Sequence, residues 1–261
     1  MIFAHIRELA RYRELLISWT NRDFRLRYKQ SLLGGLWAIL QPMILMVLFT
    51  LVFSVIVHIP SDGFPYPVFA YTALLPWTYF ANSLSFGTNT LVGNMNLVTK
   101  IYFPREILPI AAIGVSFFDF CIASIVLLFL MLFYNIQIQT TILWVPLLLV
   151  IQTAFIIGLT LITAMLNAFY RDIRFVIPLL MQVWLYATPI IYPLSAVPEW
   201  LLPYYFLNPM AGLIDSYRKV ILHGVPPNPV PLGFAAAISA LVLIIGYAFF
   251  KRWEEVLPDV I

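Results

Sequence analysis

The chain has 261 residues, of which 62% are hydrophobic and only 10% are charged. A soluble domain carries about 25% charged residues. The composition therefore excludes an ordinary soluble protein and predicts an all-α polytopic membrane protein. The net charge is only +3, and the basic residues cluster beside apolar runs, so nucleic-acid binding has no support. The single cysteine, Cys121, excludes a disulfide within the chain.

Residues 1–35 combine many charges with apolar side chains at roughly helical spacing. Trp19 and nearby tyrosines suit the depth of the membrane interface. We predict an amphipathic helix in the cytoplasmic interface, with its basic residues facing lipid head groups. The alternative is a solvated helix held near the membrane by positive charge alone. A signal peptide is not expected, because a long charged segment precedes the first apolar run.

Residues 36–261 are predicted to form a domain of six transmembrane helices. Each apolar run except the fifth meets the requirement of about 20 residues for a span. The predicted spans are about 36–58, 67–90, 107–134, 142–166, 176–193 and 230–250. With the N-terminus inside, only Arg218 and Lys219 of all the basic residues fall outside. The positive-inside rule therefore predicts that both termini are cytoplasmic.

The connection at residues 94–109 is longer and more charged than a plain turn between two spans. We predict a short helix across the membrane surface at about 94–105, where a soluble partner pushes on the membrane domain, and a break at Pro104. The candidate contact residues here are Asn94, Asn96, Lys100, Tyr102, Phe103, Arg105 and Glu106. Arg171 and Asp172 form a second, smaller candidate contact. The alternative is that the charges of this loop only set the membrane topology.

The segment 194–229 is too polar to span a membrane and too apolar for an ordinary loop. Irregular backbone at membrane depth survives only where protein or a water-filled cavity covers it. We predict two short re-entrant helices between spans five and six, at about 195–224. The second would start at Asn208-Pro209 and end near Gly224. An amphipathic surface loop is the alternative.

Asp119 is the only ionisable residue well inside a predicted span, which makes it a functional candidate. A structural hydrogen bond, direct contact with substrate and proton coupling all stay open. Aromatic residues near the span ends form either an interfacial belt or a path for sugar rings, whose C–H faces pack on aromatic faces. The candidate path residues are Trp37, Tyr71, Trp77, Asp119, Trp184, Tyr186 and Tyr192.

The chain offers no chemistry of its own for catalysis or energy supply. It has no Gly-Lys pair and therefore no phosphate-binding loop of the Gly-x-x-x-x-Gly-Lys-Ser/Thr type. His5, His58 and His223 are far apart and predict no metal site. No catalytic residue is assigned, and active transport would need a partner or a gradient.

Several segments together resemble one known family in the right order over nearly the whole chain. They are residues 26–37 with Gln41-Pro42, then 96–100, 102–109, 167–173, 186–192 and 207–210. They resemble the type-2 ABC exporter permeases for polysaccharides. The resemblance implies a homodimer that pairs with two copies of a separate ATPase, which holds the ATP and Mg²⁺, while this chain binds no cofactor.

The resemblance also implies a location and a substrate. The expected substrate is a polyprenyl-linked polysaccharide, such as O antigen, capsule or teichoic acid, exported across the bacterial inner membrane. Residues 94–105 would be the coupling helix in a cleft of the ATPase, and 195–224 would gate the outer end of the channel. Three alternatives stay open: a type-2 permease for a drug or lipid, a proton-coupled carrier, and a lipid-linked sugar transferase that uses Arg171, Asp172 and Arg174.

Overall fold

The computed structural model describes residues 12–29, 31–101 and 103–257, and its regular structure there is helical. Residues 1–11 of the predicted interfacial segment 1–35 and the candidate residue Tyr102 lie outside the described residues. The α-helices are α1 Arg13–Tyr28, α2 Trp37–Phe49, α3 Tyr66–Thr88, α4 Thr90–Gly93, α5 Met95–Lys100, α6 Ile107–Phe133, α7 Val145–Phe169, α8 Ile173–Tyr186, α9 Leu202–Tyr205, α10 Pro209–Arg218 and α11 Pro229–Glu254.

Four helical stretches in the described part of the chain are long and apolar enough to cross a membrane. They are Gly34–Ile56, Ile107–Phe133, Thr140–Phe169 and Pro229–Glu254. The first consists of α2 with a short 3₁₀ turn before it and a π-helical turn after it. At 1.5 Å per residue, each exceeds the roughly 30 Å of a hydrocarbon core.

Helices α3 and α8 fall outside that group for different reasons. α3 has 23 residues, but tyrosine, threonine and asparagine lower its hydropathy. It lies at the centre of the molecule, where most of its side chains are buried against neighbouring helices. α8 has 14 residues and spans about 21 Å, which is shorter than a hydrocarbon core. The number of spans therefore depends on how these two helices sit in the bilayer.

Close backbone contact joins α7 to α11. A Cβ atom added at Gly246 would lie 2.2 Å from the carbonyl oxygen of Gly158, and one added at Gly158 would lie 2.4 Å from that of Val242. Small residues allow such an approach, which dispersion forces then stabilise within a membrane. The two helices pack along each other over an extensive contact and form one unit.

The bundle has two chemically different ends. One end, which we call the basic end, holds α1, the α3–α6 connection, the α7–α8 loop and the C-terminus of α11. The other, which we call the Arg218 end, holds residues 189–228. There α10 begins after Asn208, whose side chain accepts a hydrogen bond from the Met210 amide at 3.1 Å. A π-helical turn follows α10 and ends at Gly224, whose φ of +65° suits glycine.

Candidate functional site

The part of the α3–α6 connection that follows α4 has two halves. The first half, residues 94–101, presents polar side chains to solvent from a fixed support. Asn96 and Lys100 on α5 are exposed. Between them, Val98 is buried in a cluster with Leu91 and Phe103. The short helix is therefore anchored on one face and free on the other, which suits a contact surface for another protein.

The side chain of Asn94 forms hydrogen bonds with two other parts of the molecule. Its amide nitrogen donates to the Thr90 carbonyl at 2.8 Å, and its side-chain oxygen accepts from Arg22 Nη2 at 3.0 Å. The Arg22 guanidinium also stacks 3.5 Å from the ring centroid of Trp19. Phe103 in turn stacks on Trp19, with centroids 6.4 Å apart. Asn94 and Phe103 therefore tie the connection to α1.

The second half of the connection turns its charges inward, onto α11. The carboxylate of Glu106, whose residue is 1% exposed, accepts a hydrogen bond from Lys251 Nζ, with 2.7 Å between the closest atoms. The Tyr247 hydroxyl donates to Glu106 at 3.4 Å, and Lys251 also pairs with Glu254 at 2.8 Å. The backbone amide of Arg105 donates to the Glu254 carboxylate at 3.0 Å, and its guanidinium donates to the Glu254 carbonyl.

We call this network, Arg105, Glu106, Tyr247, Lys251 and Glu254, the α6–α11 clamp. Burial raises the pKa of Glu106 above its ordinary value, and the hydrogen bond from Lys251 opposes that shift. A buried carboxylate is tolerated only when it is paired. Within the described structure, Arg105 and Glu106 thus serve as intramolecular contacts. Arg105 is partly exposed and Glu106 is not.

The α7–α8 loop carries the remaining charged candidates. Arg171 and Asp172 are both exposed. Beneath them, Asn167 is 1% exposed, donates to the Thr88 carbonyl at 3.0 Å and accepts from the Arg174 amide at 3.1 Å. Asn167 therefore fixes this loop to the end of α3, close to where the α3–α6 connection begins.

Trp37 and Asp119 line one cavity of about 240 Å³, between α1, α2, α3 and α6. Trp37 is 48% exposed. Asp119 accepts hydrogen bonds from Arg27 at 2.6 Å and from the Tyr28 hydroxyl at 2.5 Å. The carboxylate that is isolated in its own helix thus has two partners on α1. The Arg27 guanidinium also stacks 3.9 Å from the ring centroid of Phe86.

The other path candidates lie apart from this cavity. Tyr71 is fully buried and donates to the Ala123 carbonyl at 3.0 Å. Trp77 is buried and Trp184 half-buried, and both make edge contacts with Phe80, at centroid distances of 5.4 and 5.2 Å. These three side chains are part of the core.

Tyr186 and Tyr192 lie at the Arg218 end. Tyr186 is 59% exposed. The Tyr192 hydroxyl is 2.6 Å from that of Tyr205 and donates to the Tyr186 carbonyl at 3.1 Å. Within one chain, the candidate path residues therefore divide into a cavity group, a core group and a group at the Arg218 end.

Sequence reasoning did not single out Arg27, Asn167, Lys251 and Glu254 as site residues. Lys251 and Glu254 stand three residues apart at the end of the last predicted span, which is a visible local signal. The partner of Lys251, Glu106, is 145 residues away, however, and nothing in the sequence pairs the two. Arg27 is likewise 92 residues from Asp119.

The fold and the site define a multi-pass helical membrane protein with an anchored polar surface at its basic end. A family model described as "ABC-2 type transporter" matches residues 14–222. The chain therefore belongs to the ABC-2 type transporter family. As a member, it is a membrane subunit of an ABC transporter and not an enzyme.

The chain is similar to proteins of that family over nearly its whole length. It is 32% identical to an O-antigen export system permease protein RfbA of Myxococcus xanthus, over 96% of each chain. It is 30% identical to an O-antigen export system permease protein RfbA of Klebsiella pneumoniae, over 92% of each. It is 25% identical to the polysialic acid transport protein KpsM of Escherichia coli, over 90% of this chain and 91% of the relative.

Proposed function

We propose that this chain is the permease subunit of an ABC exporter that moves a lipid-linked polysaccharide across the bacterial inner membrane. Relatives that cover almost the whole chain are named as O-antigen export permeases and a polysialic acid transport protein. The substrate class follows from what these names share, which is a long glycan. O antigen, capsule and teichoic acid are the candidates.

A separate ATPase supplies the energy, with ATP and Mg²⁺ bound on that partner. The sequence of this chain has no phosphate-binding loop, and we expect it to bind no cofactor of its own. The observation that carries the proposal is the fixed, solvent-facing 94–101 segment, with Asn96 and Lys100 exposed above buried Val98. We name residues 94–101 the coupling segment. Arg171 and Asp172 add a second contact, held in place by Asn167.

Two copies of the permease and two of the ATPase form the transporter. The exposed face of α8 is the argument for a dimer. On it, Phe175, Leu179 and Val183 form an apolar stripe at helical spacing. α8 is also too short to face lipid alone across a whole bilayer. A second copy that covers this stripe would bury it without the need for a longer helix.

The transporter has six spans and both termini in the cytoplasm. α3 and α8 are the second and fifth spans, covered by neighbouring helices and by the second copy. The basic end then faces the cytoplasm, in keeping with the positive-inside rule. Helices α9 and α10, within residues 195–224, enter the outer leaflet and gate the channel. The buried Arg218 side chain stabilises this region by donating to the carbonyls of Pro189 and Ile190, each at 2.6 Å.

Sugar rings meet the permease first at the cavity beside Trp37. Its lining combines aromatic rings with neutral hydrogen-bonding side chains, among them Gln41 and Asn82. The charge of Arg27 is already satisfied by Asp119, so the cavity suits a neutral sugar better than a free phosphate. Tyr186 and Tyr192 would contact the glycan at the outer end. Tyr71, Trp77 and Trp184 would contact it only after the core opens.

Two measurements test this function together. The tagged chain is purified in mild detergent from its own cells, and cells that lack the chain are analysed for lipid-linked glycan. We expect an ATPase subunit to copurify in equal amount and glycan to accumulate inside the cells. Recovery without an ATPase would overturn the ABC assignment. Normal surface glycan in cells that lack the chain would assign the exporter to another cargo, such as a drug or lipid.

A further inference from the structure

The C-terminal end of α11 is attached directly behind the coupling segment. The clamp joins Lys251 and Glu254 to Arg105 and Glu106, the two residues that immediately precede α6. Its central carboxylate is buried and its bonds include a charged pair, so the joint resists being pulled apart. A displacement of the coupling segment therefore acts on α11 as well as on α6.

Helix α11 can carry such a displacement across the membrane. It is a continuous α-helix of 26 residues, about 39 Å long at 1.5 Å per residue. It packs along α7, with Gly158 and Gly246 in backbone contact. This close packing opposes bending, so a shift at one end reaches the other.

At the Arg218 end, α11 is seated against α10. A Cβ atom added at Gly212 of α10 would lie 2.8 Å from the Pro231 carbonyl oxygen and 3.5 Å from the Ala235 Cβ. α10 continues to Arg218, whose guanidinium donates to the carbonyls of Pro189, Ile190 and Tyr192. The start of α11 is therefore in contact with the helix that the proposed function assigns to the outer gate.

We propose that α11 is a connecting rod between the ATPase contact and the outer gate, and that Glu106 and Lys251 are the positioning residues that attach it. The inference rests on the proposed function of an ABC exporter. ATP-driven movement of the coupling segment shifts α11 through the clamp, and α11 shifts α10. Without the attachment, ATP hydrolysis continues but the gate no longer follows it.

The test uses the complete transporter, reconstituted with its ATPase in lipid vesicles. Lys251→Gln breaks the charged pair but keeps a hydrogen-bond donor toward Glu106. Arg252→Gln removes the same charge from the neighbouring, exposed position and is the matched control. We expect Lys251→Gln to lower the glycan exported per ATP hydrolysed by about fivefold or more, within the range of known coupling between sites. The control should stay within about twofold, since isolated surface charges have small effects.

A gate readout separates a positioning role from a structural one. Leu207→Cys is introduced at an exposed position just before α10, together with Cys121→Ala. Labelling by a membrane-impermeant maleimide is measured with and without ATP. We expect ATP to change the labelling rate in the parent and in Arg252→Gln, but not in Lys251→Gln. Exchanging the pair, as Glu106→Lys with Lys251→Glu, should restore part of the ATP response.

Each remaining outcome decides against one proposal. An unchanged ATP response and normal export in Lys251→Gln would overturn the connecting rod while leaving the exporter intact. Loss of ATPase binding in Lys251→Gln would overturn it too, because the clamp would then only shape the docking surface. Absence of an ATPase from the parent complex would instead refute the proposed function.

Discussion

The two halves of the α3–α6 connection differ in where their charges point. In the first half, Lys100 is exposed on a short helix anchored through Val98. In the second half, a few residues later, Glu106 is buried and paired with Lys251. One charge is free to meet another protein, and the other holds the molecule together. Proximity in sequence is therefore a poor guide to which charges in a contact region make the contact.

A second ion pair at the same end shows an intermediate case. Arg27 and Asp119 also join distant parts of the chain, but they line a cavity and keep 18% and 11% of their side chains exposed. Water that reaches the cavity weakens the pair relative to one in a dry interior. The three sites thus rank by burial, from Glu106 through Asp119 to Lys100. Substitutions at these sites should lower the stability of the fold in the same order, with the largest loss at the Glu106 site.

Removing the partner of Glu106 should have the largest effect on stability. Lys251→Met leaves a buried carboxylate without its cation, which costs about 3 kcal/mol. We expect a clear fall in the midpoint of thermal unfolding of the purified chain in detergent. Lys100→Met, the matched exposed control, should leave the midpoint nearly unchanged. Equal shifts in both variants would show that the two halves of the connection do not differ as described.

The pH dependence of Lys251→Met should sharpen this difference. Burial raises the folded-state pKa of Glu106 above its unfolded value. The folded variant therefore binds the proton more tightly, which stabilises it at acid pH, and this contribution is lost as pH rises through the folded pKa. As the pH falls from the folded-state pKa to the unfolded-state pKa, the variant should regain up to about 1.4 kcal/mol of its free energy of unfolding per pH unit.

The measurement is thermal unfolding of Lys251→Met at pH 5 and at pH 8. The control is Lys251→Met combined with Glu106→Gln, which cannot titrate at this position. A pH response of the same size in both variants would assign the effect to other carboxylates.

These interactions also show what could be predicted from the sequence. Helices, apolar runs and the concentration of charge at residues 94–109 are local properties, so the membrane class and the candidate contact region could be read from residue order. The resemblance of several ordered motifs pointed to the transporter family, which the comparisons confirm. The six-span count and the gate helices stay predictions.

Pairing between distant residues could not be read in the same way. The periodicity of α1 indicates a helix that faces lipid, and gives no reason to place Arg27 beside Asp119. Glu106 and Arg105 stand in a charged stretch that suggests solvent, whereas tertiary packing turns Glu106 toward α11. Tyr71 and Trp77 lie in the predicted span 67–90 as candidates for an interfacial belt or a sugar path, but the central position of α3 buries them. In each case the packing of helices from distant parts of the chain determines where the side chain lies. That packing cannot be read from a single sequence.

Substitution of Asp119 should give an intermediate loss. Asp119→Asn removes the charge that Arg27 and Tyr28 contact on α1, and costs about 1–2 kcal/mol because the pair is partly exposed. We expect trypsin to cleave α1 several times faster after Arg25 or Lys29. Asp23→Asn is the control, since Asp23 pairs with its neighbour Arg22 on the same helix. Unchanged cleavage in Asp119→Asn would show that the apolar contacts of α1 suffice to hold it.

Substitution of Lys100 should change stability least, by no more than about 0.5 kcal/mol, because its side chain is exposed. Its expected effect is on the partner. Lys100→Glu places a negative charge on the free face of the coupling segment and should weaken retention of the ATPase, most strongly at low salt, where charges are least screened.

Copurification of the ATPase with Lys100→Glu at low and high salt measures this effect, and Arg252→Glu is the control of equal charge change on α11. Full retention in Lys100→Glu would move the docking surface away from the coupling segment, to Arg171 and Asp172. Loss of ATPase retention in Lys100→Glu with an unchanged unfolding midpoint would show that this residue contacts the partner without stabilising the fold. Lys100 would then meet the partner, and Glu106 would hold the surface that Lys100 occupies.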